Sequence, residues 1–370
     1  MREEGRISPG QFSVLLASLL IGTSTLLMPL GPAGRDAWIS LIVATILGLG
    51  ALKLWLALSL RLPGQTLVGT ARHLLGRWLG SLVSLGYLWF FLHLTSLVIR
   101  NIGELYVTAI MPATPILVFA IVLVGLCAWT LSYGIEVLAR CAQILLPWLV
   151  VTIMTLDFLA IITPNLAHPE QLQPILESGW LPVLRGGWAS FAFPFGEAIL
   201  LGMVFPLVNR LPQTARTSIW ALGLIGALLT LTQIRNIVVL GPAEARRSVF
   251  TTYLVVREIN LADFVQRLDA LVIFVWTFGT YLKATLGYYA LALGTAELLN
   301  LRDYRPLLVP LGIIIVSLSI LVYDNIIHML TFAFTEWPVY APIFEVLIPA
   351  LMLVVAAARG IGSKPAKDNR

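Results

Sequence analysis

Gly22-Thr23-Ser24-Thr25 and Phe193-Pro194-Phe195-Gly196-Glu197 are the two stretches of this chain whose residue types suit the binding of a small polar molecule. Both lie in the middle of apolar runs. Pro194 lacks an N–H and clashes with the turn before it, while Gly22 and Gly196 permit non-helical backbone and close approach. A helix opened at such a point frees N–H and C=O groups. Lipid cannot satisfy them, so they must line a buried or watery cavity. Free N–H groups suit a carboxylate and free C=O groups an ammonium; an amino acid carries both. A plain Pro or Gly kink would explain either stretch taken alone. Glu197 stands at the second break, where a membrane-embedded carboxylate either caps the freed N–H groups or acts on a ligand or a proton.

Other deep polar residues could join them. Lys283 could pair with Glu197 or Asp157, or stand as a fixed cation in place of a sodium ion. Thr277 and Tyr281, at i and i+4 of one helix, could line the same cavity or simply pack. Arg100 and Glu104, also at i and i+4, read as an internal ion pair, with an outer gate or ligand clamp as the alternative. No enzyme constellation is visible: HExxH, GxSxG and phosphate-binding Gly loops are all absent from the sequence. His73, His93, His168 and His328 are scattered, and Cys127 and Cys141 show neither disulfide nor metal spacing. The expectation is a non-enzyme with no cofactor and no metal.

Composition says which elements must position these residues. The 370 residues are 58% hydrophobic and 12% charged, with mean hydropathy +0.90. Soluble domains carry about 25% charge, so lipid must face most of this surface. The net charge of +5 is spread over short loops, which excludes a clustered nucleic-acid face. A polar start, Met1 to Gln11, leads into an apolar run with no Ala-x-Ala site, so the first helix is expected to be retained. Breaks at Pro, Gly and charge clusters divide the chain into ten spans. They are expected near 11–30, 38–60, 81–111, 116–133, 141–163, 187–208, 217–240, 268–299, 307–323 and 340–358. The whole chain, 1–370, reads as one transmembrane domain with short tails. If the N-terminus is cytoplasmic, fourteen Lys and Arg residues fall on the inner side and six on the outer, which puts both termini inside. Lys53, Arg100, Arg235 and Lys283 remain within spans.

Three connections stand out. Pro63 to Trp78 suggests a short interfacial helix. Pro164 to Arg185 is a polar outer loop. Gly241 to Arg267 is the most charged and reads as a solvated loop, with a docking or lid segment as the alternative.

The two interruptions fall in spans 1 and 6, five helices apart, so their helices enter from opposite faces. Gly22 is about eleven residues into its span and Gly196 about nine into its own, which at ~1.5 Å per residue brings both to roughly mid-bilayer. Interrupted helices at matching positions of inverted halves, about 11–163 and 187–358, point to a central small-molecule site.

The same residues resemble a known family, the B subunits of the endospore nutrient germinant receptors, within the amino acid–polyamine–organocation transporter superfamily. The similarity runs over nearly the whole chain. It is carried by Ile21-Gly22-Thr23 with Met28-Pro29, by Arg100, Glu104, Met111-Pro112 and Thr114-Pro115, and by Gly134-Ile135-Glu136-Val137-Leu138-Ala139-Arg140. Phe193-Pro194-Phe195-Gly196-Glu197 resembles its sixth-helix motif. Arg257, Ile259, Phe264, Arg267-Leu268-Asp269, Trp276, Lys283 and Asp303-Tyr304-Arg305 follow its later pattern. Thr251-Thr252-Tyr253 departs from it, since a Tyr-Pro pair is expected ahead of Arg257. The resemblance implies an all-α polytopic membrane protein with a LeuT-like fold, a 5+5 inverted repeat with broken helices 1 and 6. It implies a spore inner membrane protein that senses an amino acid or similar nutrient and triggers germination through partner A and C subunits, the C subunit being a lipoprotein. Mapped by motif, the ligand lies near Gly22, Thr23, Ser24, Thr25, Phe193, Pro194, Gly196, Glu197, Thr277 and Tyr281, with Arg100, Glu104 and Lys283 as gating or ion-pair residues. An amino acid permease, with proton coupling through Glu197 or Lys283 as an option, is the alternative.

Overall fold

The computed structural model describes residues 5–25, 31–260 and 268–362. Met28, Pro29, Phe264 and Arg267 of the motifs above, and the last basic residues of the C-terminal tail, lie outside them. The described residues are helical, and the ten expected spans are all present. Span 1 is Pro9–Ile21. Ser8 caps it: its hydroxyl accepts from the Gln11 N–H at 3.2 Å, and the Gln11 side chain accepts from the Ser8 N–H at 2.9 Å, a reciprocal capping box. Span 2 is Ala37–Arg61 and span 3 is Leu67–Leu105, continued by a π turn, Tyr106–Ile110. Gly76, at φ 81°, breaks span 3 near its start, so 67–75 forms the expected short preceding helix. Spans 4 and 5 are Ile116–Ser132 and Ile135–Ile162. Span 5 thus begins earlier than expected, because Gly134 at φ 90° turns the chain directly into it.

Span 6 runs through Trp180–Ser190, Phe191–Phe195 and Gly196–Met203. Span 7 is Leu211–Arg247, span 8 Asp269–Leu298 and span 9 Leu308–Leu321. Span 10 covers Ile326–Ala358, starting well before the expected Tyr340, because its outer half is rich in aromatic and polar residues that hide its apolar face. The expected solvated loop after Gly241 is corrected in part. Span 7 continues past a bend at Gly241, and a helix follows at Thr251–Glu258. Thr251, Thr252, Val255 and Val256 of that helix are buried, so it packs on the bundle.

Both described chain ends lie at one end of the bundle. Ile7 pairs with Val208, Arg6 donates to the Pro206 carbonyl at 2.9 Å, and Arg61 donates to the Ile361 carbonyl at 3.3 Å. At the other end the Asp36 carboxylate accepts from the Leu176 N–H at 3.1 Å, and Ser40 donates to the Val183 carbonyl at 3.0 Å. Packing respects an inverted repeat. Span 1 rests on span 7 as span 2 rests on span 6, and spans 3 and 4 pack on their mates, spans 8 and 9. Large apolar side chains such as Val122, Trp129, Ile144, Trp148 and Phe158 point outward on spans 4 and 5, as a lipid-facing surface requires.

Candidate functional site

Both interruptions are real breaks. Span 1 stops at Ile21, and residues 22–25 leave the helix as turns. In span 6 the helix widens into a π turn over Phe191–Phe195, then tightens into a 3-10 helix from Gly196. Phe193 is extended, at φ −140° and ψ 114°, the conformation that a following proline imposes. The Phe193–Pro194 peptide is cis. Span 10 braces this stretch. The Trp337 indole donates to the Ala192 carbonyl at 3.0 Å, and Trp188 donates to the Pro338 carbonyl at 2.8 Å.

Lys283, from span 8, joins the two breaks. Its ammonium pairs with Glu197, donates to Thr23 Oγ1 at 3.1 Å and lies 4.6 Å from the Phe193 ring centroid. Lys283 and Glu197 are each 1% exposed. Glycines allow this closeness. A Cβ on Gly22 would stand 2.6 Å from Lys283 Cδ, and one on Gly279 would stand 2.9 Å from the Gly22 carbonyl oxygen. Of the two partners open to Lys283, the structure selects Glu197. Asp157 pairs instead with Arg235 of span 7 at 3.2 Å.

A cavity of about 1110 Å³, its mouth included, adjoins the breaks. Ser24, Phe193, Pro194 and Glu197 line it, with apolar walls from Leu94, Leu97, Val98 and Trp337. It extends toward the end of the bundle opposite the termini, where Pro32, Ala37, Tyr323 and Phe334 bound it. Gln233 of span 7 and Asn101 of span 3 also line it. Gln233 is 1% exposed, and among the described residues neither its side-chain oxygen nor its nitrogen has a partner, nor does Asn101 Oδ1. Buried polar groups are normally satisfied, so these two carboxamides offer hydrogen bonds to whatever fills the space. Sequence reasoning missed both; the available signal was an uncharged polar residue inside an otherwise apolar span.

The remaining candidates sit elsewhere. Thr277 bonds to the Tyr106 hydroxyl at 2.8 Å and Tyr281 to the Thr130 hydroxyl at 2.7 Å, so both face spans 3 and 4 and neither lines the cavity. Thr25 is buried against the Arg235 cluster. Gly196 faces Glu345 of span 10. Arg100 and Glu104 form the internal ion pair, at 2.7 Å. Arg100 also donates to the Ser319 and Ile320 carbonyls, at 3.2 and 2.8 Å, and so ties span 3 to the C-terminal end of span 9, where a cation is favoured.

The arrangement is that of a LeuT-fold membrane protein, and solved structures agree. MhsT in complex with L-phenylalanine matches with a TM-score of 0.65 at 14% identity, covering 96% of this chain and 89% of that one. Mhp1, a nucleobase-cation-symport-1 family transporter in a closed conformation, matches with a TM-score of 0.66 at 12% identity, covering 95% and 78%. A Na⁺-coupled sialic acid symporter gives 0.63 at 10% identity, covering 98% and 91%. Sequence relatives define the family. Residues 6–327 match the spore germination protein family model. Spore germination protein KB of Bacillus subtilis (strain 168) is 30% identical across 96% of this chain and 95% of its own. Spore germination protein YndE of the same organism is 22% identical across 97% and 98%. The chain belongs to the spore germination protein family, as a germinant receptor B-type subunit of the amino acid–polyamine–organocation superfamily.

Proposed function

We propose that this chain binds a small nutrient, an amino acid or a close relative, in the cavity between the two breaks, and that the bound state signals germination to partner A and C subunits. The observation that carries this reading is the set of unpartnered carboxamides, Gln233 and Asn101, sharing one cavity with Glu197 and the broken helices. Lys283 already neutralises Glu197, so a ligand without net charge fits best, and a zwitterion is such a ligand. The Gln233 carboxamide, with both a donor and an acceptor free in that space, suits the two ends of such a zwitterion. Ligand closes the breaks around itself, and the closed state biases the partners; the shift can be no larger than the ligand's preference for that state. Spores carrying Glu197→Gln should need a different nutrient concentration for half-maximal germination. An unchanged dose–response curve would remove Glu197 from the mechanism.

The excess of basic residues on the termini's side supports a cytoplasmic, spore-core location for both ends, with the chain in the spore inner membrane. The second reading is an amino acid permease, with or without proton coupling, and the transporter fold favours it. Proteoliposomes holding this chain alone separate the two. Concentrative uptake of labelled amino acids would establish a permease, whereas binding without uptake fits a receptor.

A further inference from the structure

A second carboxyl group lies behind the broken turn of span 6. Glu345 sits in the π turn Ile343–Leu347 of span 10, with no solvent exposure. Among the described residues neither of its carboxyl oxygens has a hydrogen-bond partner. The carboxyl packs against Gly196 so closely that a Cβ there would overlap it. The elements around it bring few polar groups. From span 2, the Trp55 indole donates to the Glu345 main-chain carbonyl at 2.7 Å. From span 3, the Tyr87 hydroxyl donates to the Phe344 carbonyl at 3.1 Å. Span 6 brings Glu197, the residue next to Gly196, and with it Lys283 of span 8, the partner of Glu197.

Lys283 is already the partner of Glu197. A second anion beside that pair would have neither a donor nor a counter-ion of its own, and a carboxyl so placed takes up a proton instead. We propose that Glu345 is a proton-binding site, held as the neutral acid while Lys283 pairs with Glu197 and ionised when Lys283 loses that partner. Two carboxyls, one ammonium and one proton then share the pocket without net charge. When Glu197 leaves Lys283, the O–H bond of Glu345 breaks, its proton goes to solvent, and the new carboxylate becomes the counter-ion of Lys283. Contact with Gly196 makes Glu345 sensitive to any movement of the break.

Infrared spectroscopy of the purified full chain in lipid nanodiscs reads this directly and uses no nutrient, so its outcome is separate from that of the proposed function. A protonated carboxyl gives a C=O stretch above the amide band that an ionised one lacks. The wild type should show that band at neutral pH, and Glu345→Gln should remove it. Glu197→Gln should remove it as well, because Lys283 then draws Glu345 into the ionised state. Glu345→Asp, which keeps an acid, should shift the band, and it serves if the Gln variant fails to fold. A wild type without the band, or a band undiminished in Glu345→Gln or unshifted in Glu345→Asp, overturns the assignment. A band that persists in Glu197→Gln overturns the exchange of partners.

Discussion

The Arg235–Asp157 and Lys283–Glu197 pairs both bury opposite charges inside this bundle, yet their surroundings differ. Arg235 and Asp157 sit on unbroken turns of spans 7 and 5. Their remaining groups are taken up locally: Thr232 donates to Asp157 at 2.9 Å, and Arg235 donates to Asn236 at 2.7 Å and to Thr252 at 3.2 Å. Glu197 and Thr23, the partners of Lys283, sit instead on the two interrupted helices, and Glu197 faces the cavity. A pair closed by its neighbours in regular helix is scaffold. A pair that bridges two breaks can change partners when a ligand arrives, and the spare carboxyl of Glu345 beside it is where that change would register.

This contrast can be broken by substitution. Asp157→Leu should be the most damaging single change, because it leaves Arg235 buried without a counter-ion; such losses run to about 3–5 kcal/mol. Chemical unfolding in detergent would measure it, and Asp157→Leu combined with Arg235→Met should recover most of the loss. Glu197→Gln should cost visibly less in the same assay, about 1–2 kcal/mol, since Glu345 can take over Lys283. Equal losses for the two variants would erase the distinction between scaffold and site. Gln233→Leu should leave stability near wild type while weakening nutrient binding by roughly 5- to 30-fold, the worth of one or two hydrogen bonds in a closed site. Isothermal titration with the amino acid that binds the wild type would show it. Tyr281→Phe should have the smallest effect, under about 1 kcal/mol of stability and no change in that titration, because its hydroxyl serves Thr130 and not the cavity.

Much of the site was legible in the residues because glycine, proline and intramembrane charge act locally. Gly22 and Phe193-Pro194 mark their breaks without reference to anything distant, and a deep Glu197 demands a partner among very few cations. Rotation about a helix axis is a different matter. Thr277 and Tyr281 share one face of span 8, but which neighbour that face meets depends on packing against spans 3 and 4, which the spacing within span 8 does not carry. Gln233 lacks the charge that draws notice, although its burial is what gives it a use. Glu345 did carry the signal, being as costly at that depth as Glu197. The helix at Thr251–Glu258 was hidden because its polar face and its Arg257 and Glu258 look like loop.

The central claim is that a small molecule occupies the space between the breaks of spans 1 and 6. Leu97→Trp tests it most directly, because Leu97 walls the cavity between the breaks and the larger indole would fill that space. The measurement is the shift in thermal unfolding of the purified chain across a panel of amino acids. The wild type should be stabilised by at least one of them, and Leu97→Trp by none, while remaining folded. A variant stabilised to the same extent as the wild type would contradict the placement of the ligand.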